Sequence, residues 1–110
     1  MSRYLLLMRG DQSSFVGRSE EEQKAIIADY IDYADELDKK AKMLYGDGCS
    51  YHSVLLKGDE VKQDPFVYTD KQLSGFYMIE AENDEEAQSL AKECPALKHG
   101  ESVEVVKLGH

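Results

Sequence analysis

Apolar and polar positions follow two different periods along this chain. Tyr4 to Met8 form a short apolar run bracketed by Arg3 and Arg9 and ended by Gly10-Asp11, which predicts a strand buried on both faces. Arg9 to Ser19 is polar and rich in glycine and serine, and reads as a loop. Ser19 followed by Glu22 makes a capping box, with Glu20 and Glu21 favourably placed at the positive end of a helix. Ile26, Tyr30, Tyr33, Ala34, Leu37, Ala41 and Leu44 then recur at three- and four-residue steps. They predict a long amphipathic helix reaching Leu44, with Lys39, Lys40 and Lys42 near its negative end. Tyr45-Gly46-Asp47-Gly48-Cys49 stops it, because Gly46 or Gly48 can take the left-handed conformation.

The second half of the chain alternates faster. Tyr51–Leu56 and a brief Glu60–Lys62 flank the turn-forming Lys57-Gly58-Asp59, predicting a hairpin. A turn at Pro65 and a polar connection lead to Gly75–Ala81, where Phe76 and Met78 alternate with Tyr77 and Ile79, so both faces are apolar. Asn83 with Glu86 opens a short helix carrying Ala87, Leu90 and Ala91, which Cys94-Pro95 closes before a last strand over 102–108. The order strand, helix, hairpin, strand, helix, strand fits an α+β fold, a ferredoxin-like sandwich with a mostly antiparallel sheet and two helices on one face. Two helices cover only one face, yet the first strand and Phe76–Ile79 are apolar on both. The uncovered face calls for a second copy, so we expect a homodimer with sheets packed face to face and pockets near that interface.

Composition narrows the partners. At 110 residues the chain is long enough for a single domain, 1–110, with one core. Its 22 acidic residues outnumber 13 basic ones, giving a formal charge of −9. A charge of that sign repels nucleic-acid phosphates and anionic lipid, so neither nucleic acid nor membrane is an expected partner. The opening apolar run stops after Met8, far short of the roughly 18 residues of a membrane span, which points to a cytoplasmic protein. Cys49 and Cys94 lie far apart and do not form a disulfide framework.

Tyr4-Leu5-Leu6-Leu7-Met8-Arg9-Gly10-Asp11, Gly46-Asp47-Gly48, Pro65-Phe66, Lys71 to Ala81 and Asp84 to Ala96 followed by Ser102 to Val105 occur in one order over nearly the whole length. In this combination the chain resembles the YCII-related family, in its DGPF branch. The resemblance implies a ferredoxin-like fold assembled as a dimeric α/β barrel, and kinship with small-molecule lyases and isomerases. It also implies gene company with extracytoplasmic-function sigma factors. The chain departs from the branch where Asp-Gly-Pro-Phe is replaced by Gln63-Asp64-Pro65-Phe66. Glycine is freer than aspartate, so either the turn differs or Asp64 tolerates a strained conformation. The resemblance also implies a catalytic pair of a helix histidine and an aspartate, and no histidine stands between Ser19 and Leu44 to supply it.

Candidate chemistry therefore centres elsewhere. Asp64 beside His52 is the candidate acid–base pair, since an imidazole steered by a carboxylate titrates near neutrality; the plainer reading is a turn aspartate before proline and a solvent-facing histidine. Cys49 and His52 have a metal-like spacing, but a structural site wants four ligands, so no metal and no cofactor are expected. Cys49 would need a nearby base to serve as a nucleophile. Arg9 can meet an anionic group, or pair with Asp11 or Asp47; Arg9, Asp47, Phe66 and Tyr68 are the candidate ligand contacts. Three functions follow: binding of a small molecule with no assigned reaction, a lyase- or isomerase-like enzyme using the Asp/His pair, and a non-catalytic partner module in sigma-factor regulation.

Overall fold

The computed structural model describes residues 1–109, and their elements run β1 (Ser2–Arg9), α1 (Ser13–Val16), α2 (Glu20–Lys39), β2 (Met43–Gly48), β3 (Val54–Lys57), β4 (Glu60–Gln63), β5 (Leu73–Ala81), α3 (Asp84–Ala91), a 3-10 turn (Pro95–Leu97) and β6 (Ser102–Lys107). The main sheet has the order β2-β5-β1-β6, antiparallel throughout. With α2 and α3 on one side, this is the expected ferredoxin-like α+β sandwich. No helix among the described residues is long and apolar enough to cross a membrane.

Pairing puts Leu6 opposite Tyr77 on one neighbour and Val105 on the other. Tyr4, Leu6 and Met8 consequently join Tyr77, Ile79 and Ala81 under the helices, where Tyr33, Leu37, Ala87, Leu90 and Ala91 complete the core. Burying the leucine, isoleucine and methionine side chains among them contributes about 1.5–3 kcal/mol each. Leu5, Leu7, Phe76 and Met78 alternate onto the other face and stay only partly buried. The apolar character of both faces, read from the sequence, thus corresponds to one packed and one open face.

The structure corrects the helix end. Alpha2 stops at Lys39 rather than Leu44, Ala41 turns the chain with a positive φ of 56°, and Met43–Gly48 is strand β2. Glu80 N–H donates to the Lys42 carbonyl at 2.8 Å, and β2 then pairs with β5. Leu44 continued the helical spacing by coincidence, since a strand entered by Met43 places apolar residues in the same short window. Gly46 is not a helix stop: it pairs with Tyr77 in the sheet, and a Cβ there would stand 2.6 Å from Tyr77 Cδ1 and 2.7 Å from Met43 Cε, so those two side chains occupy its space.

The hairpin exists but forms its own two-stranded sheet, with Leu56 opposite Val61, and every one of its strand residues is exposed. Tyr51–Ser53 precede β3 rather than belonging to it. At the helix starts, Ser19 and Glu22 make the full capping box. Asn83 makes only half of one: its side chain accepts from Glu86 N–H at 2.9 Å, while the Glu86 carboxylate accepts from Glu82 N–H and pairs with Lys42 at 2.8 Å.

Candidate functional site

Alpha2 is amphipathic along its length, yet only Tyr33 and Leu37 are buried. Its first half stands off the sheet, and Ile26, Ile27, Tyr30, Ile31 and Ala34 border a cavity of about 680 Å³. Met8, Met43, Gly46, Gly75 and Tyr77 form the floor. Gly75 makes room: a Cβ there would lie 2.9 Å from the Asp47 carbonyl and 3.0 Å from Met8 Cε. The cavity is bounded by the helix side of the sheet, not by the open face on which the sequence placed the dimer contact.

Polar groups gather at one wall. Glu101 enters from the turn before β6, packed so closely on Gly10 that a Cβ there would sit 2.6 Å from Glu101 Cγ. Its carboxylate accepts from Tyr30 Oη at 2.8 Å, from Ser74 Oγ, and from Gln12 Nε2 at 3.4 Å. Burial, reinforced by the hydrogen bond to Glu101, pushes the Tyr30 phenol well above its ordinary range, so Tyr30 remains a donor. Gln72 borders the same cavity and is buried; its Oε1 accepts from Tyr68 N–H at 2.9 Å, while its Nε2 has no protein partner among the described residues. His99 Nε2 lies 2.9 Å from Asp29 Oδ2, which also pairs with Lys98 at 3.0 Å, and the His99 ring is 6.0 Å from that of Tyr30. Lys98 first, then His99, holds the Asp29 carboxyl below its usual range.

The residues anticipated from sequence fall in several places. His52 and Asp64 are neighbours, with Nδ1 3.5 Å from Oδ1, but the His52 side chain is 88% exposed. Asp64 ties the base of the hairpin: its carboxylate accepts from Ser53 N–H at 2.9 Å and its own N–H donates to the Ser53 carbonyl at 2.7 Å. That Ser53 bond, ahead of His52, lowers the Asp64 carboxyl below its usual range. Asp64 has φ of 47°, so it occupies the left-handed conformation that the branch's glycine would take freely. Asp47 and His52 border the cavity, whereas Arg9, Asp64, Phe66 and Tyr68 lie outside its wall. Arg9 pairs with Glu104 at 2.7 Å, and neither Asp11 nor Asp47 is its partner. Tyr68, at a positive φ of 59°, sets its ring 6.1 Å from Tyr51, which does border the cavity. Burial and then the Asp47 charge push the Cys49 thiol up, which disfavours the thiolate. Among the described residues no three His, Cys, Asp or Glu side chains gather around a point fit for a metal ion.

Gln12, Gln72, Ser74 and Glu101 were not anticipated. Nothing in their local sequence marks them, since each sits in an ordinary polar connection or strand end.

Comparison with solved structures places the fold among known ones. The chain is similar to 5-chloro-2-hydroxyhydroquinone dehydrochlorinase (TftG) from Burkholderia phenoliruptrix AC1100, solved in complex with 2,5-dihydroxybenzoquinone: TM-score 0.60, 19% identity, covering 98% of this chain and 94% of that one. No functionally curated protein sequence matches it. The YCII-related domain matches residues 2–108, and the chain belongs to that family.

Proposed function

We propose that this protein binds a small organic molecule in the cavity beneath α2, and does so as a homodimer whose open sheet faces oppose each other. The observation that carries the reading is the cavity itself: about 680 Å³, apolar along α2 and the sheet, with hydrogen-bonding groups converging at one wall. That size and mixture suit a ring-containing ligand rather than a macromolecule. A dehydrochlorinase of the same fold holds 2,5-dihydroxybenzoquinone, which makes hydroxylated rings the first compounds to try.

The test is a thermal-shift screen with hydroxylated aromatic compounds, 2,5-dihydroxybenzoquinone included. A true ligand at a hundred times its Kd stabilises the fold by about 2.7 kcal/mol. Ile31→Trp, which fills the cavity from α2, abolishes the shift. Equal shifts in wild type and a folded Ile31→Trp protein would place binding elsewhere. The homodimer reading rests on Leu5, Leu7, Phe76 and Met78 being left without cover. Sedimentation as a monomer at micromolar concentration sinks it.

The second reading is an acid–base enzyme of lyase or isomerase type. His52 with Asp64 is the pair marked in the sequence; Asp29 with His99, closer and with His99 at the cavity wall, supports the reading more directly. The regulatory-module alternative rests on the family's gene company alone.

A further inference from the structure

We infer that the ligand of this cavity meets Glu101 with a hydrogen-bond donor, a hydroxyl or an amine, and carries no negative charge at that end. The inference rests on the cavity being a binding site, and it names the chemistry the site selects. Glu101 accepts only from the neutral donors Tyr30, Ser74 and Gln12, and among the described residues no lysine, arginine or histidine forms an ion pair with it. The other charged groups around the cavity do not reverse this sign. Asp11 and Asp47 add carboxylates. Arg18 pairs with Glu22 at 3.4 Å, His99 is held by Asp29, and His52 at the rim lies 3.5 Å from the Asp64 carboxylate. An anionic oxygen brought against this wall would meet a like charge that no neighbouring cation neutralises. A hydroxyl or ammonium there gains a charge-assisted hydrogen bond instead.

The ligand class is therefore an apolar body, lying along Ile26, Ile27 and Ile31, with one end that presents a hydrogen-bond donor and no negative charge.

The test uses three ring probes of one shape and different charge, each with a single polar group: benzyl alcohol, benzylamine and benzoate, titrated into the intact protein with backbone amide resonances as readout. The alcohol and the amine are expected to shift Gln12, Ser74 and Glu101, with the benzoate weaker by about tenfold or more. In Glu101→Gln the gap narrows to within about threefold, as expected once the like charge is gone. Tyr30→Phe keeps the carboxylate and therefore keeps the discrimination, which separates charge from packing. Benzoate binding as tightly as the alcohol in wild type overturns the inference while leaving the cavity a binding site. So does an unchanged gap in a folded Glu101→Gln protein. If Glu101→Gln does not fold, the wild-type series decides alone. If neither these probes nor the hydroxylated panel perturbs any cavity resonance, the binding reading falls and this inference with it.

Discussion

The two halves of α2 carry the same kind of sequence and do opposite things. Toward its C-terminus, Leu37 is 1% exposed and Tyr33 is buried, donating its hydroxyl to the Leu90 carbonyl at 2.6 Å and setting its ring edge-on to Tyr77 at 5.3 Å. Toward its N-terminus, Ile27 is 49% and Ile31 56% exposed, and the helix roofs a cavity. The difference lies in what the rest of the chain delivers to each end. The packed end receives α3 and Cys94, whose thiol burial pushes up to about 11, so it is a core group rather than a nucleophile. The cavity end receives two close-packed glycines on the floor and short polar side chains at the wall. One amphipathic stripe can thus supply core at one end and a ligand roof at the other.

The contrast is broken most forcefully at the packed end. Leu37→Ala should cost about 2–5 kcal/mol in urea denaturation, because the surrounding core cannot collapse onto the lost volume. Ile31→Ala, the same chemistry about one and two-thirds turns earlier, should cost below about 1 kcal/mol and weaken binding instead. Equal losses would mean that α2 packs uniformly in solution and that the cavity is closed.

Filling the floor comes next. Gly75→Ala drives a Cβ against the Asp47 carbonyl, and backbone yields poorly, so a loss of about 1–3 kcal/mol is expected together with reduced ligand affinity. A neutral effect on both would show that β2 and β5 are not held at this approach.

The smallest effect is on pH dependence. Asp84 is lowered first by the Tyr4 hydroxyl and Glu86 first by Lys42, while at the cavity end Asp11 and Glu22 are lowered by Ser13 and Ser19. Carboxyls with depressed folded values contribute stability above about pH 4, their unfolded range, and lose it as pH falls through the folded values. Lys42, raised chiefly by Glu86, contributes below about pH 10 and loses it as pH rises through its folded value. Urea midpoints should therefore be flat from about pH 5 to 8 and fall below about pH 4; above about pH 8.5, the unfolded thiol range, they fall again because the buried Cys94 thiol is held protonated only in the folded state. Lys42→Met should steepen neither limb but lower the plateau slightly; an acid limb that vanished would mean these carboxylates titrate normally.

How far the site could be read from the chain depends on the range of its contacts. Asp64 and His52 were legible as neighbours because a hairpin brings them together locally, and the structure sets them 3.5 Å apart. The shift of Asp into the branch's glycine position was also legible, and its two possible consequences are resolved by the φ of 47° in favour of a tolerated left-handed aspartate. Glu101 was not legible, since its partners Tyr30 and Gln12 are 71 and 89 residues away. Strand β2 was missed for a related reason: Leu44 fits the helical period until the pairing of Met43–Gly48 with β5 claims the segment.

The sequence by itself determined the elements at their caps and alternations, the ferredoxin-like order, the two-faced apolar strands and the family. These follow from neighbours three or four residues apart, or two in a strand, which the chain carries locally. Only the tertiary structure decided where α2 packs and where it lifts away, and which polar residues meet beneath it. Those outcomes depend on the close approach of β2 to β5 and on a turn after α3 that brings Glu101 to Tyr30 and Ser74. Contacts of that separation are set by the packing of whole elements, and no local pattern encodes them.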